Sequence, residues 1–453
     1  MSRARWWVVA VLGLVTVTVV TLDATGHIFG SEPAVVPPPA LVFDEALVVE
    51  PALHPVDPTL VTSLPPRVER KVTRLLKSKT LGPRVSATVE GSTGNVMVGL
   101  NQTVAATPAS TLKLLTALSV LTSMDPTTRI ATQVVRGETP RDLVLVGGGD
   151  ATLTVAPSRG SDPPSASLAA LARITSKSVG EGPVHISYDD SLFTGPAVSP
   201  SWESTYVSSG VIAPVTALMA DQGLVSEGSL ARYPNPAAAA ATDFARLLSQ
   251  DGVKVQGVPK ASTASAMGDP VATVQSPPVD SLVERMLRDS DNQLAESLGR
   301  LAALERGLPA SFDGAAAAIG RAAESQGIAV DSNQLYDASG LSRDDRVPAA
   351  ALADVLQTAV NDSDLRPITL GLPVAGFSGT LADRYLTPPQ SAAAGIVRAK
   401  TGTLTGVSAE SGVTVTCDGT LVVFAFLADR VPYDTDAARS SLDKAAAALA
   451  SCH

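Results

Sequence analysis

The chain has 453 residues, 45% of them hydrophobic, which is enough apolar material for a large core and for more than one domain. Its formal net charge is −10, so it carries no basic footprint for a phosphate backbone, and nucleic acid is excluded as a partner. Its two cysteines, Cys417 and Cys452, and four histidines form no cluster with metal-ligand spacing, so neither a metal nor another cofactor is expected. His27 and His54 precede the folded body and His453 is the last residue, which leaves His185 as the one candidate for a Ser-His-Asp mechanism. There is no Gly-x-Ser-x-Gly elbow, and a lone histidine is usually structural or solvated, so His185 is given no catalytic role.

At the N-terminus, Arg3 and Arg5 precede an apolar run from Trp6 to Leu22. Positive charge before an apolar segment reads as an export signal or signal anchor, here residues 1–30. The run is close to the shortest that spans a bilayer, and the absence of a small-x-small cleavage site at Asp23–Gly30 favours a retained membrane anchor. Residues 31–66 are proline-rich, with Pro37-Pro38-Pro39 and Pro65-Pro66, and read as an extended tether. An extracytoplasmic location permits a disulfide, and Cys417 and Cys452 are the pair available for it.

Further along, Arg67 to Ser78 reads as a basic amphipathic helix. Val85–Val89 and Asn95–Leu100 flank Gly91-Ser92-Thr93-Gly94, a hairpin signal. From Ser110, the spacing of Leu112, Leu115, Leu118 and Leu121 predicts a helix, with Pro108 suited to its start. Near the other end, Gly395 to Val415 reads as strands, Asp418-Gly419 as a turn, Leu421–Leu427 as an apolar strand and Asp436 to Ser451 as an alanine-rich helix. Both chain ends therefore build one domain, residues 67–131 and 272–453, and residues 132–271 read as an inserted domain of short strands, glycine-rich loops and alanine-rich helices.

Three short motifs carry chemistry. In Ser110-Thr111-Leu112-Lys113, a hydroxyl and an amine sit one helical turn apart. Serine is a poor nucleophile until a base takes its proton, and lysine is such a base once burial or nearby positive charge lowers its pKa. About one Ser-x-x-Lys is expected by chance in so serine-rich a chain, and Ser441-Leu442-Asp443-Lys444 on the terminal helix is read as that accident. Ser290-Asp291-Asn292 offers a hydroxyl to relay a proton and an amide to hold a carbonyl; taken alone it reads as a turn or helix cap. Lys400-Thr401-Gly402 opens a strand pattern, where a strand edge binds extended peptide, two side chains suit a carboxylate and a glycine permits close approach.

In this order the three motifs form the signature shared by penicillin-binding proteins and class A β-lactamases. From about Arg67 onward the chain resembles the class C low-molecular-mass penicillin-binding proteins, the D-Ala-D-Ala carboxypeptidase/endopeptidase family. Further matching stretches are Gly148–Leu153, Ala213–Leu218, Ser290–Glu296, Asp337–Arg343, Leu372–Gly376, Gly379–Leu381 and Lys400–Leu404. Lys113 and Ser290 lie 177 positions apart, room for that family's inserted domain and too much for a compact β-lactamase.

The resemblance implies an α/β (α+β) fold: an antiparallel sheet flanked by helices with a helical subdomain, transpeptidase/β-lactamase-like, carrying an inserted domain. It implies Ser110 as the acylated nucleophile and Lys113 as its base. Ser290 and Asn292 then assist proton transfer and substrate placement, and Lys400 and Thr401 bind the terminal carboxylate. The N–H groups of Ser110 and Thr403 form the oxyanion hole. The implied partners are peptidoglycan stem peptides and β-lactam antibiotics, the former cleaved with loss of D-Ala, with endopeptidase action a further expectation. The alternatives are a β-lactamase or esterase on the same scaffold and a low-turnover penicillin-binding scaffold protein. Three positions depart from the family pattern: Ala151 stands for proline, Ala338 for glycine, and Glu410 for an apolar residue. Trp202 is followed at once by Glu203, slightly early for the acidic residue that in some members holds a diamino-acid amine; Glu203 reads as a surface charge and Asp150 as the brace of a glycine-rich turn.

Overall fold

The computed structural model describes residues 63–157, 163–264, 270–432 and 435–451. The export segment, nearly all of the proline-rich tether, His27, His54, Cys452 and His453 lie outside the described residues, and so does the expected pairing of Cys417 with Cys452.

In chain order the elements are α1 (Pro66–Leu76), β1 (Val85–Gly91), β2 (Val96–Leu100), the short β3 (Ala105–Ala106), α2 (Lys113–Leu121), β4 (Arg129–Arg136), β5 (Asp142–Val146), α3 (Leu168–Ser178), β6 (Val184–Asp189), α4 (Pro236–Gln250), β7 (Val255–Ala261) and β8 (Pro270–Pro278). There follow α5 (Val279–Arg288), α6 (Asn292–Glu305), α7 (Phe312–Ser325), the short β9 (Val347–Pro348), α8 (Ala349–Asn361), α9 (Arg366–Leu370), β10 (Arg398–Leu404), β11 (Val407–Val415), β12 (Leu421–Ala428) and α10 (Thr435–Ala450). The expected helices and strands at both ends are present within three residues of their predicted limits.

A five-stranded antiparallel sheet in the order β10-β11-β12-β1-β2 joins the two ends of the body. Its middle strands are buried on both faces: β1 is buried throughout, with Val85, Ala87 and Val89 on one side and Ser86, Thr88 and Glu90 on the other, and β12 reads Leu-Val-Val-Phe-Ala-Phe-Leu-Ala. Such strands need a layer on each side. On one face α1 buries Val68, Val72 and Leu76 against α10, whose alanines let the layers approach closely. On the other face lies the larger core, centred on α2 with α5 to α8 around it. Every residue of α2 is buried, including the polar side formed by Lys113, Thr116 and Ser119. This is the α+β fold expected from the sequence.

Residues 129–278 supply a second five-stranded sheet, β7-β6-β5-β4-β8, in which β5, β6 and β7 run parallel. Its core packs beneath α3 and α4. Between β6 and α4 the chain leaves this sheet and returns to the first body. There Ala213 donates its N–H to the Gln293 side chain at 3.0 Å, and the Trp202 indole donates to Asp337 at 2.8 Å. The segment that the sequence sets apart as an insert therefore also forms one wall of the site described next.

Candidate active site

Ser110 lies in a single 3₁₀ turn, Ala109–Leu112, that runs into α2 at Lys113. Ala109 has φ +47, an uncommon conformation for a residue with a Cβ. Two glycines accommodate this turn. A Cβ on Gly340 (φ +78) would lie 1.9 Å from the Ala109 carbonyl oxygen, and one on Gly402 would lie 3.1 Å from the Ser110 nitrogen. Strand β10 thus passes directly beside the Ser110 amide, the place where oxyanion donors must converge.

The Lys113 side chain is fully buried and its Nζ has three acceptors: Ser110 Oγ at 3.1 Å, Asn292 Oδ1 at 2.8 Å and the Ser339 carbonyl at 2.6 Å. Burial pushes the ammonium down to about 8, with Asp337, Glu296 and Asp291 pulling it back up. A neutral amine has two N–H groups, enough for Asn292 and Ser339, and turns its lone pair to the Ser110 hydroxyl. The geometry thus suits a lysine base.

The second motif is both a helix cap and a part of the site. Asp291 caps α6 by accepting from the Leu294 N–H at 2.9 Å, while Ser290, at φ +55, turns back to the third motif. Lys400 is fully buried and donates to Ser290 Oγ at 2.8 Å and to the Thr401 carbonyl at 2.6 Å. Burial, then the positive charges of Lys113 and Arg384, hold its ammonium well below the usual lysine range. An incoming carboxylate would relieve this stress, since opposite charge favours the protonated amine. Thr401 faces Thr380 with the hydroxyls 2.8 Å apart, and Thr403 is exposed at the strand edge. Ser110, Lys113 and Asn292 form one hydrogen-bonded part of the site's polar chain and Ser290, Lys400 and Thr401 the other, the two parts adjoining where Ser290 and Asn292 stand two residues apart, with Thr403 on the strand of Lys400. A cavity of about 360 Å³ opens beside Ser290 and Asn292, bounded by Val211, Arg232 and Arg285.

Several residues that the motif reading did not assign hold this arrangement. Glu296 accepts from the N–H groups of Ala338 and Ser339 at 3.1 and 2.8 Å. Asp337 accepts from Ser339, Gly340 and Ser342. These two buried carboxylates clamp the loop whose Ser339 carbonyl meets Lys113. Burial, reinforced by Asp337, raises the Glu296 carboxyl to about 8. From the insert side, the Val211 carbonyl accepts from the Asn292 amide at 3.3 Å. Glu410, opposite Thr401 in the sheet register, pairs with Arg384 at 3.3 Å and accepts from the Tyr385 hydroxyl at 2.7 Å. Arg384 also pairs with Asp443 of α10. Burial acts to lower the Arg384 guanidinium, but the carboxylates of Glu410 and Asp443 outweigh it and hold it above its ordinary value. Glu410 fills an expected apolar place because a cation and a phenol satisfy it there.

The remaining residues singled out in the sequence fall outside this chain. Asp150 accepts from Thr152 and braces its turn. Glu203 is 43% exposed and pairs with Arg343 at 3.5 Å. His185 sits on the second sheet, 3.4 Å from Asp142 and exposed. Ser441 bonds to Thr80 and to its own helix, and Asp443 is held by Arg384, so that second Ser-x-x-Lys is structural.

Comparison with known proteins identifies the family and the fold. The model of the D-Ala-D-Ala carboxypeptidase 3 (S13) family matches residues 68–232 and 226–451. Carboxypeptidase DacB of Mycolicibacterium smegmatis is 33% identical over 98% of this chain and 96% of its own length. A carboxypeptidase of Mycobacterium tuberculosis is 36% identical over 71% of each chain. Among solved structures, penicillin binding protein 4 from Haemophilus influenzae superposes with a TM-score of 0.70 at 22% identity, covering 83% of this chain and 98% of that one, and so shares the fold. With its three motifs assembled on this fold and relatives matched over nearly its whole length, the chain belongs to the D-Ala-D-Ala carboxypeptidase 3 (S13) family.

Proposed function

We propose that this protein is a serine D-Ala-D-Ala carboxypeptidase that trims peptidoglycan stem peptides through an acyl-enzyme on Ser110, working outside the cytoplasm after export by its N-terminal segment. The observation that carries the reading is the 3.1 Å contact between Lys113 Nζ and Ser110 Oγ, with Lys113 also bonded to Asn292, two residues from the Ser290 that meets Lys400.

Neutral Lys113 takes the Ser110 hydroxyl proton as Oγ attacks the penultimate D-Ala carbonyl carbon. The N–H groups of Ser110 and Thr403 receive the developing oxyanion. Lys400 and Thr401, with Thr403 beside them, bind the terminal carboxylate, and Asn292 positions the substrate amide. The proton passes through the Ser290 hydroxyl to the departing amine, the C–N bond breaks, and D-Ala leaves. Water then attacks the acyl carbon as Lys113 takes its proton, the bond from the acyl carbon to Oγ breaks, and Lys113 returns the proton to Ser110. A cross-linked stem whose leaving amine belongs to a second peptide fits the same steps, which would make the enzyme a DD-endopeptidase as well. β-Lactams enter as substrate mimics and stall at the acyl stage. Residues 129–278, slightly wider than 132–271, are proposed as the inserted domain.

Intact mass after incubation with benzylpenicillin tests the reading. A stable adduct on Ser110, with D-Ala released from a peptide ending in D-Ala-D-Ala, is the expected result. Unmodified protein with intact drug would remove the assignment, and unmodified protein with hydrolysed drug would make it a β-lactamase. The pH profile is a separate check. Only neutral Lys113 acts as base and its pKa is about 8, so the second-order acylation rate should rise about tenfold per pH unit below that value and level off above it. A rate flat between pH 6 and 8 would show that another group takes the proton.

A further inference from the structure

The basic helix α1 takes no part in the site, yet it is the strongest charge feature of the body. From Pro66 to Lys79 the chain carries six basic side chains (Arg67, Arg70, Lys71, Arg74, Lys77 and Lys79) against Glu69 alone, a local charge of +5 in a chain of net charge −10. The helix turns Val68, Val72 and Leu76 inward onto α10, which leaves Arg67, Arg70, Arg74 and Lys77 exposed on its outer side. Among the described residues, no ion pair neutralises any of these four. A cavity of about 230 Å³ lies between α1 and α10, with Lys71, Arg74 and Lys444 around Leu75, Ala447 and Ala448. Among the described residues its charged lining is basic, and its floor is apolar.

We infer that α1 and the adjoining pocket form a docking surface for an anionic phospholipid bilayer, with a lipid phosphate held between Arg74 and Lys444. A cationic rim over an apolar floor suits a phosphodiester whose glycerol and first methylenes go inward while the charge stays at the rim. Each basic side chain near an anionic membrane surface adds to the attraction, so a cluster of this size is enough to hold a protein at the bilayer in low salt. The surface lies on the opposite face of the first sheet from α2 and α8, so docking leaves the Ser110 side free to meet the wall.

The full-length chain tests this with a readout that N-terminal insertion cannot imitate. Lysine acetylation by a water-soluble ester is followed by peptide mass spectrometry on vesicles of phosphatidylglycerol with phosphatidylcholine and on phosphatidylcholine alone. Lys77, Lys79 and Lys444 are expected to react at least fivefold more slowly on the anionic vesicles only, and 0.5 M salt should remove the difference by screening. The triple variant Arg67→Glu/Arg70→Glu/Arg74→Glu should lose the protection while still releasing D-Ala in solution, which shows that it is folded. Equal acetylation on both vesicle types would overturn the proposal. So would protection by a soluble anionic wall polymer without protection by the anionic vesicles, which would assign the surface to the wall instead.

Discussion

Ser110→Ala should abolish the benzylpenicillin adduct and lower kcat/KM for D-Ala release by about 10⁴-fold or more, the scale seen when a covalent nucleophile is removed. The loss should be purely chemical. Ser110 is half-buried, and the change removes one hydroxyl that accepts from Lys113. A single hydrogen bond of that kind contributes about 1 kcal/mol to stability, so the unfolding midpoint should hardly move. Lys113→Ala is the companion. It should retain the hydroxyl but lose about 10²–10⁴ in acylation, together with the rise towards pH 8. Stopped-flow acylation and intact mass measure both variants. If Ser110→Ala still carried the drug, the nucleophile would lie elsewhere and the 3.1 Å contact would have no chemical meaning.

Arg384→Ala should be the most destabilising substitution outside the catalytic chain, by about 3–5 kcal/mol, because it leaves the carboxylates of Glu410 and Asp443 without their shared cation. Glu410 has no exposed surface, so water cannot take over the role of the guanidinium. The damage should reach the site by a short path. Arg384 follows the turn that carries Thr380, Thr380 touches Thr401, and Thr401 lies opposite Glu410 in the sheet. KM for peptide substrate should therefore rise more than kcat falls. The combined replacement Arg384→Met/Glu410→Leu/Asp443→Asn should recover most of the lost stability, since burying no charge is cheaper than burying an unpaired one. Urea unfolding measures both effects; a shift below about 1 kcal/mol for Arg384→Ala would show that the cluster is not what holds this part of the sheet.

The local elements were legible because their causes are local. Leucines at Leu112, Leu115, Leu118 and Leu121 make a helix, Gly91-Ser92-Thr93-Gly94 makes a hairpin, and the apolar run from Leu421 makes a strand whatever surrounds them. The reactive pair was legible for the same reason: three positions on adjoining turns bring Ser110 to Lys113 without help from the rest of the chain. The second motif needed more. Ser290-Asp291-Asn292 has the composition of a helix cap and is one, and nothing within the triplet tells that Ser290 will meet Lys400, 110 positions away.

What the chain order alone could offer were the candidate reactive groups, their order and the elements that bear them. Their meeting, and everything that tunes them, was decided by the tertiary structure. Lys113 is brought down to about 8 by complete burial, a property of the layers packed around α2 rather than of its neighbours in sequence. The clamp of Glu296 and Asp337 on the Ser339 loop, the Val211 carbonyl on Asn292, and the cation shared by Glu410 and Asp443 all join residues far apart in the chain. Burial and long-range pairing depend on which surfaces come to face each other, and no window of sequence contains that information.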